Sequence, residues 1–155
     1  MSGAVQTILV ASDAPTLRRE VEAVISGPDV EVRAVRSGPE VVAFVAEESP
    51  DLAIVDMQMG NMGGMAVCLE LRLQESYDAI DHIPVLMLLD RRPDVFLARR
   101  SGAEGWLVKP IDPLRLRRAV QALLEDGTFH DDSFTPVPVL AGSERQLGSG
   151  PEPST

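Results

Sequence analysis

One cysteine, one lysine and no long apolar run leave this 155-residue chain few of the devices by which proteins cross-link themselves, bind metals or enter membranes. A single cysteine, Cys68, excludes an internal disulfide. No cluster of ligands near it has metal-binding spacing, so Cys68 reads as a small apolar residue on a helix. No stretch approaches the roughly 20 apolar residues of a membrane span. The opening residues, MSGAVQTILVASDAP, carry no basic segment before a long apolar run and lead straight into a strand-like pattern. The expected location is therefore the cytoplasm, with no direct membrane insertion. Positive charge is also scarce: 14 Lys plus Arg stand against 24 Asp plus Glu, a net charge of −10. That balance argues against nucleic acid or an anionic membrane as partner, since both need a basic face to neutralise phosphates. Proteins or cations are the expected partners.

The scarcity of lysine marks one position. Thirteen of the 14 basic residues are arginine, and Lys109 is the exception. Arginine is a planar fork of five donors, whereas lysine is a compact point charge on a flexible stem. Lys109 closes an apolar run and precedes Pro110.

The apolar content of 45% suffices for a single core. Short β-branched runs alternate with segments of helical period, the signature of βαβ units and a parallel sheet. Strands are expected at 6–11, 30–35, 52–56, 84–89 and 105–108, and helices at 15–26, 38–48, 64–76, 92–101 and 112–125. The first, third and fourth strands are nearly continuous apolar runs, as in sheets covered on both faces. The expected fold class is α/β, a doubly wound parallel sheet of five strands flanked by five helices, occupying residues 1–126. Residues 127–155 lose the apolar period and are rich in proline and glycine, so they are expected to be extended or disordered unless bound to a partner. Within them Phe129, Phe134, Val137, Val139 and Leu140 are spaced like a docking peptide, stiffened by Pro136 and Pro138.

In an open α/β sheet, ligands bind beyond the carboxyl ends of the strands. Asp13 follows the first strand, Asp56 closes the third and Lys109 follows the fifth. Two carboxylates and an ammonium in one crevice can hold Mg²⁺, offer a phosphoryl acceptor and neutralise the arriving phosphate.

These residues resemble the receiver domain of two-component response regulators, over residues 6–126. The resemblance is carried by TILVASDAP, by PDLAIVDMQMGNMGGM, by PVLMLL, by SGAEGWLVKP and by IDPLRLRRAVQALL. It implies a flavodoxin-like sheet of order 2-1-3-4-5, with Asp56 as phosphoacceptor, Asp13 and Asp56 as Mg²⁺ ligands, Lys109 as phosphate contact, Trp106 as aromatic switch and a cis Lys109-Pro110 bond. Where the family carries two acidic residues after the first strand, this chain has Ser12 and Asp13, which weakens the metal site. Leu89 stands in place of a Thr or Ser hydroxyl that bonds the phosphoryl group, and leucine has no donor. Asp90 replaces a small neutral residue; it reads either as a repulsive charge at the pocket rim or as a cap of the fourth helix. Gly60 stands where proline is frequent.

Three functions are weighed. The first is a stand-alone, atypical receiver with a degenerate pocket, acting as a phosphorylation-independent protein-interaction module on a larger complex. The arrangement of a receiver with a tail resembles stand-alone actinobacterial receivers associated with respiratory NADH dehydrogenase, and the arginine-rich, lysine-poor composition fits a high-GC source. The second is a phospho-accepting receiver in a phosphorelay, with Asp56 taking the phosphoryl group under a histidine kinase. The third, a flavodoxin-like enzyme, is disfavoured, because GNMGGM lacks a phosphate-loop context and His82 and His130 have no evident catalytic partner. Residues 127–155 are too few and too acidic for a helix-turn-helix. Candidate contact residues are Arg91, Arg92, Arg99 and Arg100 with Arg115, Arg117 and Arg118, together with Phe129 and Phe134 of the tail.

Overall fold

The computed structural model describes residues 5–131. Alternation of the two periods gives strands β1 (Gln6–Ala11), β2 (Val30–Val35), β3 (Leu52–Asp56), β4 (Val85–Leu89) and β5 (Gly105–Val108). Between and after them lie helices α1 (Pro15–Ile25), α2 (Gly38–Glu47), α3 (Gly64–Ser76), α4 (Asp94–Ser101) and α5 (Pro113–Leu124). These bounds fall within a residue or two of those expected from the sequence. The sheet, however, has six strands, not five. A short strand β6 (Phe129–His130) pairs with β5, and the order is β2-β1-β3-β4-β5-β6, parallel throughout. Two residues are too short a run to show a period of two, so β6 was invisible to pattern reading.

Two of the helices begin at a side chain that accepts a free N–H of the first turn, and three carry proline there. Ser37 caps α2 by accepting from Glu40 N–H, and Asp112 caps α5 by accepting from Leu114 N–H at 3.1 Å. Pro15, Pro39 and Pro113 sit in first turns, where no N–H is missed. At the end of α4, Gly102 adopts φ +85°, the left-handed conformation that glycine adopts without a Cβ penalty.

Every residue of β3 and β4 is buried, which explains their unbroken apolar runs. Strand alternation then divides the core in two. Leu9, Val55, Met87, Leu89 and Trp106 face the α2, α3 and α4 layer; Ile8, Val10, Ile54, Leu88 and Leu107 face α1 and α5. The carboxyl ends of β1, β3 and β5 thereby share one rim of the sheet. Phe134 and the other apolar positions at 137–140 lie outside the described residues.

Candidate functional site

Asp56 is the last residue of β3 and only 2% exposed. A buried carboxylate requires hydrogen-bond donors, and three reach it. Lys109 Nζ donates to Oδ1 at 2.7 Å, the Gln58 N–H donates to Oδ1 at 3.2 Å, and Ser12 Oγ donates to Oδ2 at 2.7 Å. Ser12 is fully buried just past β1, and its hydroxyl also accepts from the Ala14 N–H at 3.1 Å. A serine in this place thus contributes a donor to Asp56 where a second acid would have repelled it.

Lys109 is aimed by the register of β5 beside β4: its N–H donates to Leu89 O at 2.8 Å, and its peptide bond to Pro110 is cis, as the resemblance implied. Its ammonium also meets Asp90 Oδ1 at 3.0 Å. Burial acts to lower the Lys109 pKa, but the hydrogen bonds and charges of Asp56 and Asp90 outweigh it and hold the group above 10.5. Asp90 is therefore not the cap of α4. That helix begins after Pro93, and it is the Asp94 carboxylate that accepts from the Arg91 N–H at 3.2 Å.

Asp13 is exposed, and its Oδ2 accepts from the Gly60 N–H at 3.1 Å, which ties the β1–α1 turn to the loop after β3. That loop returns to α3 through Gly63 and Gly64. A Cβ on Gly64 would lie 2.7 Å from Asp56 O, so only glycine lets the helix start this close to Asp56. The GNMGGM run is expected from sequence as part of the loop after the third strand and as lacking a phosphate-loop context; the close packing of Gly64 was not among those readings. Leu89 is fully buried in the layer with Trp106 and offers no donor to the rim.

Sequence reading expected Asp13 and Asp56 to hold Mg²⁺. Among the described residues no group of three or more His, Cys, Asp or Glu side chains is placed to hold a metal ion. Both Asp56 oxygens already accept hydrogen bonds. Asp56 Oδ2 accepts from Ser12 and keeps acceptor capacity, so Asp56 and the exposed Asp13 are the two carboxylates that could hold Mg²⁺, one acid fewer than with a carboxylate in place of Ser12.

Trp106 is 2% exposed. The ring of His130 stacks on it with centroids 4.2 Å apart and planes 3° from parallel, and the Arg99 guanidinium carbon lies 5.4 Å from its centre. Asp131, 4% exposed, accepts from Val108 N–H at 3.0 Å and Arg115 at 3.1 Å. His130 and Asp131 were not singled out from sequence for any such part. Phe129, expected to serve a partner, instead packs half-buried against the α1 and α5 side of the core. The arginines divide: Arg91, Arg92, Arg99 and Arg100 are exposed along α4 and the turn before it, Arg91 lying 3.5 Å from Asp94. Arg115 is drawn to Asp131, and Arg117 donates across to Val24 O on α1 at 3.4 Å.

The family described as response regulator receiver domain matches residues 8–121. The response regulator PleD of Caulobacter vibrioides is 35% identical over 148 residues, which cover 90% of this chain and 32% of that protein. The chain thus spans about a third of PleD. Among solved structures, the receiver domain of a signal transduction histidine kinase from Syntrophus aciditrophicus superposes with TM-score 0.71 at 30% identity. That likeness covers 79% of this chain and 92% of that one. The receiver domain of the sensor kinase PA1611 from Pseudomonas aeruginosa shares the fold, with TM-score 0.69 at 23% identity over 79% of this chain and 99% of its own. That protein was solved with a magnesium ion in its active site cleft.

Proposed function

This chain belongs to the response regulator receiver domain family, and we propose that within it the chain works as a regulatory protein-interaction module whose docking does not depend on phosphorylation of Asp56. The observation that carries this reading is the closed circuit around Asp56. Its oxygens are satisfied by Lys109, Ser12 and the Gln58 N–H, and the lysine is shared with Asp90. A phosphoryl group shifts a conformational equilibrium only by contacts that differ between the two states. Leu89 removes one such contact, because it has no hydroxyl to bond the group. Asp90, beside Lys109, adds a charge that repels it. Magnesium binding at Asp13 and Asp56 is weakened for the reasons of donor set given above.

The partner in this reading is a protein or larger complex with an acidic face, the respiratory NADH dehydrogenase class being the one the resemblance suggests. Exposed Arg91, Arg92, Arg99 and Arg100 supply the complementary charge in an otherwise acidic chain. Among the described residues no helix is long and apolar enough to cross a membrane; in this reading the chain acts from the cytoplasm on such a complex. The role is binding, not catalysis.

A second reading, a phospho-accepting receiver served by a histidine kinase, is favoured by one observation: Lys109 stands 2.7 Å from Asp56 at the strand ends. In that reading an Asp56 oxygen attacks the phosphorus of the donor and the leaving group departs. Incubation with acetyl phosphate and Mg²⁺, followed by intact mass and by partner binding, separates the two. The proposal requires binding that is the same for wild type and Asp56→Asn. A phosphoadduct that changes binding, and is lost in Asp56→Asn, establishes the second reading.

A further inference from the structure

Arg72 and His82 close a ring of four side chains at the edge of the sheet opposite Asp56, where β4 and β5 begin. Its acidic members are Glu75 on α3 and Glu104 in the turn before β5, and the two are held in the same way. One oxygen of each takes Arg72 and a main-chain N–H. Glu75 Oε2 accepts from Arg72 at 2.7 Å and from the Ile83 N–H at 3.0 Å, and Glu104 Oε1 accepts from Arg72 at 2.5 Å and from the Val85 N–H at 2.9 Å. The other oxygen of each meets His82, whose Nδ1 lies 2.9 Å from Glu75 Oε1 and whose Nε2 lies 2.8 Å from Glu104 Oε2.

Both ring nitrogens therefore face carboxylate oxygens. An ionised carboxylate only accepts, and a neutral imidazole has a single N–H to give, so two such contacts at once require the imidazolium. Glu75 is ionised here, held below 4.5 despite burial. With the second proton in place, positive and negative charges alternate around the ring and cancel. Without it the ring carries a net negative charge, and one nitrogen lone pair is set against a carboxylate. The remaining acids nearby act in the same direction: Asp81 precedes His82 in the loop after α3, and Asp126, just past α5, lines a cavity of about 220 Å³ together with His82 and Glu104. The His82 side chain is 56% exposed, whereas those of Glu75 and Glu104 are 15% and 21% exposed. Its proton thus exchanges with solvent while the charges it bridges are mostly buried.

We propose that His82 is a proton-operated clasp. Protonated, it joins α3 to the turn before β5 through Glu75 and Glu104; deprotonated, it releases one of them and loosens the loop at 77–84. The clasp lies at the far edge of the sheet from Asp56 and needs no phosphoryl group, so it goes beyond the reading above and stands apart from it. The N–H groups of Ile83 and Val85 bond to the same two carboxylates, so their exchange with solvent records the state of the ring.

Amide hydrogen exchange of the full chain at about pH 5 and about pH 8, on either side of the histidine range, tests this. Protection factors, which divide out the intrinsic pH dependence of exchange, should fall about fivefold at the higher pH for Ile83, Val85 or both, the scale of one charged contact near the surface. Those of the β1 amides should hold steady. His82→Ala should show the low protection at both pH values. His82→Arg, a cation that donates at both, should show the high protection at both, with far-UV circular dichroism unchanged in each variant. Equal protection of Ile83 and Val85 in wild type at the two pH values overturns the proposal. A pH dependence that survives in His82→Ala or His82→Arg overturns it too, and assigns the proton to Asp81, Asp126 or one of the glutamates.

Discussion

Lys109 Nζ lies 2.7 Å from Asp56 Oδ1, so the carboxyl end of β5 is tied to that of β3 across the intervening β4. The Asp56 side chain is nearly buried and that of Lys109 is 24% exposed, which puts the pair inside the protein's dielectric rather than in bulk water. Such a contact acts mainly through what its loss leaves behind.

Lys109→Ala should therefore destabilise the fold strongly. Removing one partner of a buried pair costs roughly 3–5 kcal/mol because the other charge is left uncompensated. Adding Asp56→Asn should recover much of that loss, since it removes the stranded charge. Urea unfolding of the two single variants and the double variant measures the coupling. A loss in Lys109→Ala of less than about 1 kcal/mol, the range of exposed pairs, would assign the lysine to a screened surface contact.

Ser12→Asp restores the acid that receivers usually carry, and the structure predicts a cost without metal. The new carboxylate would stand beside Asp56, where Ser12 Oγ now donates at 2.7 Å, and two carboxylates that close cannot both ionise freely. Thermal melts should show the variant less stable than wild type without metal and recovering with added Mg²⁺, whereas wild type changes little. An equal Mg²⁺ response in both proteins contradicts the account of the donor set.

Most of this site was legible before the structure. Asp13, Asp56 and Lys109 each follow or close an apolar run, and the rule that strand ends share a rim places them together. What escaped was decided by contacts that no run of residues reveals. Ser12 was read as a lost ligand, but its value lies in a hydroxyl aimed at a residue 44 positions away. Asp90 was weighed as a cap or a repulsive charge, and tertiary placement made it the second partner of Lys109. β6 escaped because two strand residues leave no periodic trace, and because Asp131 holds its end through a side chain in place of the next main-chain bond.

Leu89→Thr tests whether a hydroxyl at the end of β4 couples the site to Trp106. Both residues belong to the core layer that faces α2, α3 and α4, and Leu89 is fully buried. The exchange should cost about 1–3 kcal/mol, the usual range for burying a polar group in an apolar place. In return, acetyl phosphate should alter Trp106 fluorescence in the variant and not in wild type. A fluorescence response to phosphodonor in wild type would show that coupling survives without the hydroxyl.

Stability should fall on the alkaline side. Burial raises the Cys68 thiol above 9.0, and its partners hold Lys109 above 10.5 despite burial. A group whose pKa is raised by folding contributes stability in full below its ordinary value, and loses it as pH rises through the raised one. Chemical denaturation at stepped pH should therefore show a decline that begins above pH 9.0 for the thiol and continues above 10.5 for the lysine. Lys109→Met should flatten the upper part of that decline. A wild-type profile that stays level from neutral pH to beyond 10.5 contradicts both assignments.

Glu75 governs the opposite limb. Burial would raise its pKa, but hydrogen bonds from His82 and the Ile83 N–H, with the charge of Arg72, hold it below 4.5. A depressed carboxylate contributes stability above its ordinary value and loses it as pH falls through the folded one. Glu75→Gln should thus lower stability at neutral pH and shrink the loss seen on acidification below 4.5. The effect is modest, because His82 is largely exposed and solvent screens its part of the cluster. An acid limb of the same depth in wild type and Glu75→Gln assigns that loss to other carboxylates.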